Sequence, residues 1–234
     1  TITGIYGQKL SEMTLSQPVS TNNVPGSWSI VYTDDSQKDA VLKVGTTNSY
    51  QVKFTPSGEN AEDYESVTVQ VVPTVAKKAV TATIENVTIT YGDDIPEFSY
   101  VTTGVLAGEE VTMSLSSTAV NGSDAGTYNI TGTCESTNYD VTIVNGTLTI
   151  KQAQGIITIA SDQDVYDKTF GDDSFTLSGI TSNNSEGQLR FAVSGDAVSV
   201  DAAGKVTIKG AGNAVITVSM AETKNYKAAE AVEI

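Results

Sequence analysis

Along most of the chain apolar and polar residues alternate with a period of two, which places alternate side chains on one face of a strand. In 213–220, Ala214, Ile216, Val218 and Met220 share one face, and Val215, Thr217 and Ser219 share the other. Lys205 to Lys209 alternates likewise, with Val206 and Ile208 inward. No stretch keeps apolar residues at helical spacing for more than about two turns. Thr, Val, Ser, Ile and Gly dominate and Pro is sparse, which suits short strands joined by tight turns. The pattern therefore predicts an all-β protein. Within 141–150 the pair Asn145-Gly146 interrupts the alternation, as in a two-residue type I′ turn, so a hairpin is expected there.

The same landmarks return three times. Tyr6-Gly7-Gln8, Tyr91-Gly92-Asp93 and Phe170-Gly171-Asp172 follow one another at roughly 80 residues, each ahead of a β-type run. A second landmark closes each repeat: Asp63-Tyr64, Asn138-Tyr139 and Asn225-Tyr226. A period of this length exceeds that of solenoids and fits small domains with their own cores. The expected division is 1–77, 78–152 and 153–234. The short polar linkers carry no Gly/Ser tract, which implies an elongated, end-to-end arrangement. In the middle repeat Asp124-Ala125-Gly126-Thr127-Tyr128 has the form of a tyrosine corner, which ties a crossing connection in a Greek-key sandwich and is structural. Cys134 falls on the Tyr128 face and reads as a small core residue.

Composition narrows the chemistry. Hydrophobic residues make up 39% of the chain, enough for several small cores. The formal charge of -15 repels phosphate backbones and anionic lipid, so neither nucleic-acid binding nor headgroup binding is expected. No apolar run approaches the ~18 residues of a spanning helix, so no membrane insertion is expected. The start at Thr1-Ile2-Thr3 suggests a piece of a longer chain. With one cysteine no intrachain disulfide forms, and without histidine His-assisted nucleophiles and His-containing zinc sites are excluded. The expectation is a non-enzyme, and no catalytic residue is assigned.

The middle repeat, with Tyr91-Gly92-Asp93-Asp94, Gly126-Thr127-Tyr128, Asn138-Tyr139-Asp140 and Val144-Asn145-Gly146-Thr147-Leu148-Thr149-Ile150, resembles the MBG-type bacterial immunoglobulin-like repeat. The last repeat, with Ala197-Val198-Ser199-Val200, Gly204-Lys205-Val206-Thr207-Ile208 and Gly210 to Val218, is similar to group 2 bacterial immunoglobulin-like domains of the intimin and invasin kind. The first repeat resembles repeats of large bacterial surface proteins more loosely, through Tyr6 to Leu10, Gly26-Ser27-Trp28-Ser29 and Asp63-Tyr64. The resemblance implies three tandem immunoglobulin-like β-sandwiches in an extracellular bacterial surface or secreted protein. It implies a spacer or stalk, with cell adhesion as a further role, adjacent domains of a longer chain as partners, and no catalytic site.

Four candidate sites stand beside plainer readings. The paired acids Asp34-Asp35, Asp93-Asp94, Glu109-Glu110 and Asp172-Asp173 read as solvated turns rather than a glycosidase pair, because neighbouring strand residues point to opposite faces. Asp162, Asp164 and Asp167, with Asp172 and Asp173, crowd one loop where Ca²⁺ is conceivable, although the spacing departs from an EF-hand and an ordinary acidic loop is preferred. Otherwise no cofactor or metal is expected. Trp28 and Tyr32 share a face with Ile30; this reads as a core anchor, or alternatively as a platform for sugar rings in a carbohydrate-binding module. Lys43 and Lys53 are candidates for a Lys–Asn isopeptide cross-link. A host or matrix glycan or protein is a conceivable ligand, and the chain is expected to be monomeric.

Overall fold

The computed structural model describes residues 1–17, 24–59 and 61–234. They form short β-strands joined by turns, with one four-residue α-helix, Asp35–Lys38, capped by the Asp34 side chain. They group into two compact units. The first comprises Thr1–Glu85, Phe98–Ser116 and Thr131–Gly146; the second comprises Asn86–Glu97, Ser117–Ile130 and Thr147–Ile234. Each unit holds one complete flanking repeat and part of the middle repeat.

In the first unit, strand Ile2–Ile5 lies between Thr14–Leu15, antiparallel, and Thr74–Ala76, parallel. A second sheet is an antiparallel meander of Gly26–Val31, Tyr50–Pro56 and Val67–Val71. A third centres on Lys78–Ile84, paired in parallel with Tyr139–Val144 and antiparallel with Tyr100–Thr103. One core runs through the unit: Ile2, Leu10, Val52 and Val75 of the first repeat cluster with Val80, Val111 and Tyr139 of the middle one. Fully burying side chains such as Ile2, Leu10 and Val52 contributes about 1.5–3 kcal/mol each. The first repeat therefore does not end its core at the linker.

In the second unit, Gly146–Lys151 runs parallel to Val87–Thr90, so Leu148 and Ile150 are buried. The last repeat has a sheet of Phe175–Thr176, Lys205–Ile208 and Val198–Val200, and another of Arg190–Ser194, Val215–Ser219 and Val232–Glu233. Ile157–Ile159 pairs with Ile180–Ser182. Val206, Ile216 and Leu177 form one cluster, and Val218, Met220 and Ile157 another. The inward face of Val215–Ser219 is the one that the alternation predicts. The sheets are those of immunoglobulin-like β-sandwiches, with strands that face a core on one side.

The hairpin expected around Asn145-Gly146 is not formed. Tyr139–Val144 and Gly146–Lys151 join different sheets, each beside its own parallel partner. Gly146 is not among the positive-φ glycines. It is needed for space: a Cβ there would lie 2.7 Å from the carbonyl oxygen of Glu85. A close backbone approach and a type I′ turn leave the same two letters in a sequence.

The Tyr-Gly and Phe-Gly landmarks are one turn made three times. Gln8, Asp93 and Asp172 each donate a backbone N–H to the carbonyl three residues back, on Ile5, Thr90 and Thr169. Their side chains in turn accept from the N–H of Ile5, Thr90 and Thr169 at 2.7, 2.9 and 2.9 Å. The glycine between has φ of 99°, 95° and 104° at Gly7, Gly92 and Gly171, as the third position of a type II turn requires. The clamp explains the first acid of each pair, Asp93 and Asp172, while Asp94 accepts from the Asn121 amide.

Candidate functional site

Two clusters, one inside each unit, bring the opening turn of one repeat against the closing Asx-Tyr of the next. In the first unit, the turn after Ile2–Ile5 aims Tyr6 at Tyr139, the first residue of strand Tyr139–Val144. The rings meet edge to face, 5.4 Å between centroids and 87° between planes, a favoured aromatic geometry. Both are nearly fully buried. Their hydroxyls donate to the two oxygens of one carboxylate, Tyr6 to Glu109 Oε1 at 2.6 Å and Tyr139 to Oε2 at 2.5 Å. Leu106 N–H also donates to the Tyr139 hydroxyl, at 3.1 Å. The hydrogen bond to Glu109, followed by burial, pushes the Tyr6 hydroxyl up to about 12. Burial and then the same carboxylate raise Tyr139, and the two phenols hold Glu109 below the usual glutamate range. Glu109 is an exposed acid beside a turn, as its pairing with Glu110 implies, and in addition it accepts from both phenols.

In the second unit, Tyr91 meets Tyr226 in the same way, at 5.5 Å and 73°. Here the polar work falls to Asn225, which is 3% exposed. Its amide oxygen accepts from Ala125 N–H at 2.6 Å, and its amide nitrogen donates to Asp124 Oδ1 at 2.9 Å and Glu186 Oε1 at 2.5 Å. Its backbone N–H reaches Glu186 Oε2 at 3.2 Å. The Lys224 ammonium and then the Asn225 amide hold the Asp124 carboxyl below its ordinary value, and Asn225 does the same for Glu186. Gln152 Nε2 donates to the Thr223 carbonyl at 2.8 Å, and the carbonyl of Asn225 accepts from Ala153 N–H at 2.9 Å. Gly155 lies so close that a Cβ would meet the Lys227 carbonyl oxygen at 2.4 Å.

The two clusters share their central device. Asn138 Oδ1 accepts from Val44 N–H at 3.2 Å, as Asn225 Oδ1 does from Ala125 N–H. Each acceptor thus satisfies an N–H in the loop that leads into the following strand, Tyr50–Pro56 or Gly126–Thr133. The roles of Asn138, Asn225, Glu109 and Glu186 are absent from the sequence reading. Asp63, Asn138 and Asn225 recur before each closing tyrosine, which is the signal for the Asx position; nothing in the sequence marks Glu109.

The other candidates are placed as follows. The Tyr128 hydroxyl donates to the carbonyl oxygen of Asp124 at 2.9 Å, while the Asp124 carboxylate faces Lys224 and Asn225. Asp162, Asp164 and Asp167 are exposed in a loop where Gln163 Oε1 accepts from Tyr166 and Ser178. Among the described residues no three His, Cys, Asp or Glu side chains come together as a metal site. Trp28, Ile30 and Tyr32 pack against the first core, and the Trp28 ring lies 5.1 Å from that of Phe54. Burial raises the Tyr32 hydroxyl. Lys43 and Lys53 are exposed, and Cys134 is half-buried beside the first core.

Residues 80–149 match the family described as MBG domain (YGX type), and residues 181–222 match the intimin immunoglobulin-like domain. The chain therefore carries bacterial immunoglobulin-like surface-protein repeats; both families are immunoglobulin-like domains, not enzyme families. Among solved structures, Drosophila N-cadherin EC1-4 is 13% identical over 84% of this chain and 63% of its own, with a TM-score of 0.31. Sidekick-1 immunoglobulin domains 1-5 are 12% identical over 99% of this chain and 57% of theirs, with a TM-score of 0.31. The chain thus spans about three fifths of the length of these structures. No curated protein sequence matches it. Intimin-like domains place the chain among modular extracellular surface proteins, and among the described residues no helix is long and apolar enough to cross a membrane.

Proposed function

We propose that residues 1–77, 78–152 and 153–234 are three immunoglobulin-like repeats of a bacterial surface or secreted protein, acting as a rigid, non-catalytic spacer that holds a neighbouring part of a longer chain away from the cell. The observation that carries this is the Asx amide at each junction, half-buried at Asn138 and buried at Asn225. Asn138 and Asn225 each join a loop of one repeat to the closing tyrosine of the next, and an aromatic pair seals the contact. A hinge needs polar, solvated linker backbone and few cross-contacts. The first linker is instead flanked by a core shared between the two repeats, and the second is tied by the hydrogen bonds of Gln152 to the Thr223 carbonyl and of Ala153 to the Asn225 carbonyl. Adhesion through the exposed faces of the repeats is compatible with this role. The carbohydrate-platform alternative gains no support from Trp28 and Tyr32, whose rings lean on the core.

Small-angle X-ray scattering tests the spacer. A maximum dimension close to three sandwiches end to end, unchanged between low and high salt, is the expected result. A distance distribution of a compact globule, or one that broadens with salt, removes the spacer role.

A further inference from the structure

The peptide group between Asp124 and Ala125 is held at both ends by different repeats. Its carbonyl accepts from the Tyr128 hydroxyl at 2.9 Å, which closes the loop of the middle repeat as a tyrosine corner. Its N–H donates to Asn225 Oδ1 of the third repeat at 2.6 Å. The Tyr128 ring folds back over the loop, since a Cβ on Gly126 would lie 3.8 Å from Tyr128 Cε2. On the side facing the third repeat, Asp124 Oδ1 accepts from the Asn225 amide at 2.9 Å and Oδ2 from the Lys224 ammonium. Asn225 thus needs a donor and an acceptor from consecutive residues, both correctly aimed.

The first junction lacks the phenol. There the matching carbonyl, on Lys43, accepts from Thr46 N–H at 3.2 Å, and Val44 N–H reaches Asn138 Oδ1 at 3.2 Å. Thr47 stands where the middle repeat has Tyr128, three residues after the N–H that meets the Asx. Asn138 is half-buried and Asn225 is buried. The junction with a phenol on its peptide therefore has the shorter bond and the more enclosed amide.

We propose that Tyr128 is a positioning residue for the docking of the third repeat: by pinning the Asp124–Ala125 peptide it presents that N–H and the Asp124 carboxylate to Asn225. A peptide group is planar, so a hydrogen bond on its oxygen fixes the direction of its N–H. Bonds at the two ends of one peptide also strengthen each other by polarisation. The middle repeat's corner and the second junction then form and fail together. This role deepens the rigid-spacer reading and rests on it, naming the residue that prepares one repeat to receive the next.

The test reads the Asn225 side-chain amide by ¹⁵N-edited NMR in the full chain, because that group belongs to the third repeat and bonds to Asp124 and Glu186. Tyr128→Phe keeps the ring and speeds hydrogen exchange of this amide and of Ala125 N–H by about three- to tenfold, the worth of one net hydrogen bond. Tyr100→Phe removes another phenol of the middle repeat, one bonded to Val111 and Met113, and leaves both rates unchanged. An Asn225 amide untouched by Tyr128→Phe, or accelerated equally by both variants, overturns the assignment. Melting gives an independent reading: with Asn225→Leu already in place, Tyr128→Phe lowers the transition of the second unit by clearly less than it does in the parent, and equal losses overturn the coupling. Unchanged Asn225 exchange with the expected scattering dimension removes the role of Tyr128 and keeps the spacer, whereas a compact scattering profile removes the spacer itself.

Discussion

Replacing Asn225 by Leu lowers the stability of the second unit by about 2–4 kcal/mol. The side chains are similar in volume, so the loss is that of the polar network rather than of packing. Leu offers no acceptor to the Ala125 N–H and no donor to Asp124 or Glu186, and a buried polar group left without its partner costs more than the bond itself contributes. For a domain of this size the change is worth a fall of about 10–20 °C in Tm. Scanning calorimetry reads it as a displaced transition. Lys224→Ala is the control: that ion pair is exposed, and its loss moves the transition little. An Asn225→Leu protein that melts with the parent removes the buried amide from the account of the junction.

The second large effect is on pH dependence. The Tyr6 hydroxyl titrates near 12 in the folded protein against 10.0 when free. Its folded value is raised, so the proton is held more tightly in the native state. The stabilisation is complete below pH 10 and is lost as pH climbs from 10 towards 12. Glu109 is displaced the other way, below 4.5, so its contribution is present above that value and fades as pH falls. The junction of the first unit thus weakens at both extremes, through its phenols in alkali and its carboxylate in acid. Melting curves of the parent and of Tyr6→Phe, taken from pH 8 to 12, show the difference: the parent's transition falls steeply above pH 10, and the variant starts lower and falls less. Parallel curves contradict a proton held between Tyr6 and Glu109.

Much of the fold is legible in the chain, for physical reasons that differ from element to element. Val215–Ser219 and Lys205–Ile208 are half-buried strands, so burial imprints the period of two directly. The three aromatic-Gly turns are legible as repeats because a type II turn needs positive φ at one place, and glycine supplies it. Their partners at Gln8, Asp93 and Asp172 follow from the side-chain clamp. The Asn145-Gly146 reading fails because the pair serves a crossing between sheets, where absence of a Cβ is what counts. The junctions are only half legible. The Asx-Tyr close shows in the sequence, but its role depends on Val44 and Ala125, far away along the chain. Glu109 depends on which tyrosines converge on it, and an acid pair in a turn gives no hint of that. Position 170 carries the landmark with Phe in place of Tyr; that its ring faces solvent is visible only in the folded chain.

Backbone ¹⁵N relaxation, measured along the entire chain, bears most directly on whether the Asx amides and paired aromatic rings fix each repeat to its neighbour. Locked junctions require that amides of 1–77 share one rotational diffusion tensor with those of 98–116 and 131–146 inside the first unit, and that amides of 153–234 share one with those of 86–97 and 117–130 inside the second. Separate, shorter correlation times for the two repeats within either unit, with fast motion at residues 77–78 or 152–154, would show the repeats turning independently and contradict the junctions as drawn.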